Sequence, residues 1–171
     1  IDAKRPEGGH FAGNIQANVE RLDYKDYTYQ DIRLAGNFRR NAFDGSLQVE
    51  DPNVSLLVNG LVESKRENTV VNLSIDLEHF KPDKLHLLDK FEEPDISFAL
   101  NADFVGNNID NVVGRIDVDD LSFKTQPDSF YLKKLSVEAG TENGLRQLKI
   151  ASDLINGEVK GAYSFGTIVP S

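Results

Sequence analysis

Apolar and polar residues alternate with period two along most of the chain, a spacing that sends every second side chain to one face of a β-strand. Ile15, Ala17 and Val19 alternate with Asn14, Gln16, Asn18 and Glu20, and Ile32, Leu34, Gly36 and Phe38 alternate with Asp31, Arg33, Asn37 and Arg39. The same reading gives Phe43, Leu47 and Val49; Val54, Leu56, Val58 and Val62; Val71, Leu73, Ile75 and Leu77; and Ile96, Phe98, Leu100, Ala102 and Phe104. Val112, Ile116 and Val118 follow, then a short Leu121 and Phe123 pair, Leu135 and Val137, Leu148 and Ile150, and last Val159, Tyr163 and Phe165. About ten amphipathic strands result, a pattern suited to antiparallel pairing. Leu57 and Leu61 interrupt the polar side of their strand, which predicts that something covers it there.

Turn residues fall where alternation breaks: Arg40-Asn41-Ala42, Asp51-Pro52-Asn53, Gly106-Asn107-Asn108, Thr141 to Gly144, and Asn156-Gly157. These are short hairpin connections, not helical crossovers. One segment differs. Leu85, Leu88 and Phe91 recur at helical spacing between Pro82 and Pro94, which predicts one short helix over 82–91 that covers apolar surface at an edge or end of the sheet. An internal repeat is also present: Gly13 to Gly60 and Gly114 to Gly161 each open Gly-x-Ile and close Val-x-Gly, at an offset of 101. Ile32 and Leu34 best match Leu135 and Val137, so the register slips by two in the middle. The expectation is a single β-rich segment, 1–171, of a longer repeat-like chain.

Composition removes functions more than it suggests them. The 171 residues include no cysteine, which excludes thiolate nucleophiles, zinc-thiolate sites and iron-sulfur clusters. A net charge of -9 has the wrong sign for a nucleic-acid backbone or an anionic membrane surface. No apolar run approaches the ~18 residues of a membrane-spanning helix, and Ile1 to Gly9 lack the features of a signal peptide. With no methionine either, the sequence reads as a piece of a longer or processed chain.

No constellation of catalytic residues stands out. His10, His79 and His86 are scattered, and there is no nucleophile elbow, phosphate-binding loop or dinucleotide turn. Asp110, Asp117, Asp119 and Asp120 lack the alternating ligands and glycine of a calcium loop and read as a solvated strand face. Glu92, Glu93 and Asp95 read as a charged loop around Pro94 rather than a glycosidase pair. Tyr24, Tyr27 and Tyr29 could stack on a sugar, but read first as strand and turn packing. The sequons at Asn53 and Asn72 carry no weight. The expectation is a protein that is not an enzyme and takes no cofactor or metal.

What remains is the apolar face. Its strands either close into a β-sandwich or barrel, which would suit an adhesion or carbohydrate-binding module, or form one long curved antiparallel sheet whose face stays partly free. In the open form, the trough would be lined by Ile15, Val19, Ile32, Leu34, Phe38, Leu47, Val49, Leu56, Val58, Leu73, Ile75, Phe98, Leu100, Ile116, Val118, Val137, Ile150 and Val159.

A resemblance favours the open form. Gly13-Asn14-Ile15, Tyr24 to Tyr29, Ile32 to Phe38, Phe43-Asp44-Gly45, Val49 to Asn53 and Val58-Asn59-Gly60 resemble the TamB branch of the AsmA-like proteins, particularly its long versions in Bacteroidetes. Gly114 to Val118, Ala151-Ser152-Asp153 and Gly161 to Phe165 continue the likeness over nearly the whole chain. The resemblance implies a periplasmic body of an inner-membrane-anchored protein, folded as a half-pipe or β-taco. Its apolar lining would carry phospholipid or another acyl lipid toward the outer membrane. It also implies a role in outer-membrane protein assembly through a barrel partner, engaged by regions outside these residues, with no nucleic acid involved. Unpaired sheet edges add the expectation of self-association.

Overall fold

Alternation becomes structure through backbone pairing: each strand satisfies its amides on both neighbours and leaves its side chains to the two faces. The computed structural model describes residues 2–4, 12–88, 90–107 and 111–161. Eleven strands form one sheet in simple sequence order: β1 (Asp2–Lys4), β2 (Ala12–Tyr24), β3 (Tyr27–Arg39), β4 (Ala42–Asp51), β5 (Val54–Ser64), β6 (Thr69–Phe80), β7 (Asp95–Gly106), β8 (Val113–Lys124), β9 (Ser129–Glu142), β10 (Leu145–Ser152) and β11 (Asn156–Gly161). All pairings are antiparallel. His10, Asn108, Asp110, Tyr163 and Phe165 lie outside the described residues.

The fold is all-β, a long curved sheet left open. Among the described residues β1 and β11 end the strand order and do not pair with each other, so the sheet does not close into a barrel, and no second sheet faces it to make a sandwich. The closed alternative is therefore corrected: successive hairpins add strands at one growing edge, and nothing brings that edge back to β1.

Register carries each apolar position into line with the next. One row runs Gly13, Phe38, Phe43, Val62, Val71, Phe104, Gly114, Ala139, Leu148 and Val159 across β2 to β11. The next runs Ile15, Gly36, Gly45, Gly60, Leu73, Ala102, Ile116, Val137, Ile150 and Gly157. Gly60 sits at φ +147°, and a Cβ there would lie 2.0 Å from the carbonyl oxygen of Asn72. The strand crossing at that point is thus open only to glycine.

Toward the opposite end of the strands, the alternation changes phase. Asp31 (φ 46°) and Asp120 (φ 52°) adopt left-handed backbone within strands, and the register shifts between Ser55 and Leu56 and between Ser97 and Ala99. Such irregularities bend strands and re-aim side chains. Past Asp31, Tyr29 and Tyr27 share the core side with Ile32. Past Asp120, Leu121 pairs with Leu132 and Phe123 with Phe130.

Residues 81–94, joining β6 to β7, fold over this end. The helix expected over 82–91 does not form. Leu85 N–H donates to Lys81 O at 3.2 Å, but His86 N–H reaches Asp83 O and Leu87 N–H reaches Pro82 O, so the pitch changes at each residue. His86 at φ 56° then turns the chain out of the right-handed region. The segment is a strap of turns, anchored by Leu85, which is 1% exposed and packs with Val49, Val54 and Leu77. Leu88 and Phe91, the other residues of the expected stripe, stay exposed. On one side, His86 Nδ1 lies 3.3 Å from the carbonyl of Lys25 in the β2–β3 turn. On the other, Gln126 N–H donates to Glu92 O at 3.1 Å, and Phe91 meets the Phe123 ring edge-on.

Two expectations follow for urea unfolding. Leu85→Ala empties the strap's fully buried leucine and should lower stability by ~2–5 kcal/mol. Gly60→Ala should cost ~1–3 kcal/mol in backbone strain alone, whereas Gly140→Ala, where a Cβ meets nothing within 4 Å, should change stability by less than ~0.5 kcal/mol. Equal midpoints for the two glycine variants would remove Gly60 as a register constraint.

Candidate functional site

The two faces of the sheet differ in chemistry as sharply as the sequence alternates. On the polar face, one cross-strand row reads Asp103, Arg115, Glu138, Lys149 and Glu158, alternating in sign across β7 to β11. Opposite charges side by side suit a face turned to water. Arg115 also holds Asp117 through two hydrogen bonds of 2.6 and 2.9 Å. A shallow depression of about 550 Å³ on this face, lined by residues including Arg115, Lys134, Ser136 and Lys149, is rimmed by these compensated charges.

The hydrogen bonds from Arg115 hold the Asp117 carboxyl below the usual carboxylate range. A depressed carboxylate stabilises the fold above its unfolded value near ~4, and that contribution is lost as pH falls through the lower folded value. Arg115→Gln should therefore raise the Asp117 pKa toward that ordinary value in an NMR titration; an unchanged midpoint would show that the pair does not govern it.

The apolar face is the candidate site. Every trough residue expected from the sequence lies on it. Phe38 and Val159 stand in the row nearest the β3–β4 turn, and Ile15, Leu73, Ile116, Val137 and Ile150 in the next. Leu34, Leu47, Val58, Ile75, Leu100 and Val118 align in the third row. Val19, Ile32, Val49, Leu56 and Phe98 align in the fourth, with Leu77 between the last two.

The strap divides this surface. Val49 is buried beneath it, and Ile32, Leu47, Leu56 and Phe98 pack against the same cluster, so they form the strap's seat. The remaining rows have no second layer over them among the described residues; Val71 and Ala102 are buried by their neighbours, while Val62 is 38%, Ile150 39% and Val159 50% exposed. Phe43, Val62, Val71, Phe104 and Leu148 complete the first row; their parity in the sequence already marks the same face. Leu85 is the residue that sequence reasoning placed correctly as cover but in the wrong local structure.

Other sequence candidates resolve into structural roles. Asp51, 3% exposed, accepts from the Tyr27 hydroxyl at 2.5 Å, the Gln30 amide at 3.0 Å and the Asn53 amide at 2.8 Å. Burial first, then this hydrogen bond, raises the Tyr27 pKa. Tyr27 and Tyr29 pack edge-to-face at 4.9 Å within the strap's seat, and Tyr24 lies exposed with Lys25 over its ring. Glu92 and Glu93 are engaged by Gln126. His79 contacts the Asp51 carbonyl and His86 that of Lys25. Among the described residues, no three His, Cys, Asp or Glu side chains gather as metal ligands. Nor is any helix long and apolar enough to cross a membrane. Leu57, expected to lie under cover, is 40% exposed on the polar face.

Compared with known proteins, the chain matches no family model, no curated protein and no solved structure. The site is read from its own residues.

Proposed function

We propose that this chain is a non-enzymatic segment of a lipid conduit, in which acyl chains lie against the uncovered apolar face. The observation that carries the reading is an in-register apolar surface running across ten strands with, among the described residues, no second layer over its open rows. Each buried methylene gains ~0.8 kcal/mol without directional bonds. Contacts of that kind tolerate different chains and let them move.

The resemblance to the TamB branch of the AsmA-like proteins supports the same reading. It extends the proposal to a periplasmic location within an inner-membrane-anchored protein, to phospholipid transport toward the outer membrane, and to assembly of outer-membrane proteins through a barrel partner. The sheet order begins at β1 and ends at β11 without closing, and we include in the proposal pairing of the sheet's edges with further strands or a second copy.

Matched substitutions on the two faces test the trough. Val62→Asp and Ile150→Asp put a carboxylate where a chain would lie and should lower retention of copurifying lipid, read by native mass spectrometry and solvent extraction, by at least about tenfold. Leu57→Asp, at similar exposure on the polar face, should leave it unchanged. Lipid lost equally from all three folded variants, or from none, would sink the proposal.

A further inference from the structure

The open rows end at a lip whose charge differs from that of the molecule. Arg40 stands in the β3–β4 turn and Lys65 and Arg66 in the β5–β6 turn, while Arg39, the last residue of β3, alternates to the polar face. The two turns are joined directly: Ser64 N–H donates to Asn41 O at 2.6 Å. Lys65 is paired with Glu63 at 3.2 Å, while Arg39, Arg40 and Arg66 make no ion pair among the described residues. Glu63 and Glu67 are the acids of these turns, so three cations face two anions in a chain whose net charge is -9. The opposite end, at the strap, carries Asp23, Asp26, Asp83, Glu92 and Glu93 beside Lys25, Lys81, Lys84, Lys90 and Lys124, with no excess of cations.

We propose that this basic lip holds the phosphate of an anionic phospholipid whose acyl chain runs down the strands toward the strap; the proposal rests on the trough reading above. Directly below the cations lies the aligned row Phe38, Phe43, Val62 and Val71, so charge and apolar surface meet in the order an anionic amphiphile presents them. The length fits as well. From Phe38 to Ile32, where the strap's seat begins, the strand spans six residues, or ~20 Å, and one leaflet's acyl chains occupy about half of a ~30 Å hydrocarbon core. Long arginine side chains lay their stems along apolar surface and keep the guanidinium in water, which is where a phosphate ester would wait. At the strap end lysines and acids stand side by side, so no comparable excess of cations draws the group there. The asymmetry therefore sets one orientation, headgroup at the lip and chain end at Leu85.

Short-chain phosphatidylglycerol, phosphatidylcholine of equal chain length, and glycerol phosphate, titrated separately into the folded 171-residue chain, test this. Phosphatidylglycerol should bind about tenfold tighter than phosphatidylcholine at low salt, with the preference shrinking as salt rises. The combined Arg40→Gln and Arg66→Gln variant should lose about fivefold for each cation that contacts the phosphate and should keep its affinity for phosphatidylcholine, whereas Arg39→Gln, on the polar face, should leave the preference unchanged. The Lys84→Gln, Lys90→Gln and Lys124→Gln variant at the strap end should keep the preference. Equal binding of the two lipids, or a preference untouched by the Arg40 and Arg66 substitutions, overturns the lip while the trough stands. Glycerol phosphate binding as tightly as phosphatidylglycerol also overturns it, because the site would then be one for a free anion. If neither lipid binds, the trough reading fails and this proposal fails with it.

Discussion

Strand register is the constraint on which everything else depends. In a sheet one layer thick, a slip of one residue in any pairing would turn that strand's apolar side chains to water and its charges inward. Gly60 works against such a slip, because its place opposite Leu73 admits no side chain. Gly36 and Gly45 align beside it, and the Phe43 ring lies close to both, within 2.9 Å of where their Cβ atoms would be. The aromatic ring thereby covers backbone that the glycines leave bare, a form of packing a sheet uses when nothing lies above it. The alternating charge row on the other face acts in the same direction: a slipped β9 would move Glu138 from between Arg115 and Lys149.

The second device is an aspartate at the end of a strand that holds an irregular stretch of its neighbour. Asp51 accepts the Gln30 amide next to the left-handed Asp31. Asp153 accepts the amides of Lys133 and Lys134, both at 3.3 Å, where Leu132 and Leu135 fall on one side of the sheet. The two aspartates sit at matching places, one closing β4 and the other just beyond β10. Similar backbone problems in the two halves are thus met by the same chemistry. The halves then part: strap residues cover the first end through Leu85, while Leu154 and Ile155 at the β10–β11 turn stand exposed.

Much of this was legible in the sequence because period two is a local signal. Each strand announces its own face, and even the change of phase in β8 shows as Val118 followed by Leu121 and Phe123. The cause of that change, left-handed backbone at Asp120, has no such signature, since aspartate occupies ordinary strand and turn positions as well. The strap was misread for a related reason. Leu85, Leu88 and Phe91 have the spacing of a helix face, but only Leu85 is buried, and its partners Val49, Val54 and Leu77 are distant in the chain. Whether an amphipathic strand meets a second layer or water is likewise not encoded in its own alternation. That is decided by whether the sheet's edges meet, and here they do not.

An uncovered apolar face is normally a liability, since soluble monomers rarely expose contiguous apolar patches beyond a few hundred Å². The sheet contains this one by division. The strap removes the rows at one end by packing them into a small core, and the half-buried side chains of the open rows shield one another across strands. The polar face and the net charge of -9 add long-range repulsion against collapse of apolar faces onto one another. What is left is an open apolar surface, which on the proposed function would hold a chain without enclosing it. A closed core of the same residues would gain stability by removing that surface from water and would leave nothing for a ligand to touch. The open sheet keeps its apolar side chains in a state where a flexible hydrocarbon can finish their burial. The stability it forgoes by staying open is the same free energy that an acyl chain would recover on binding.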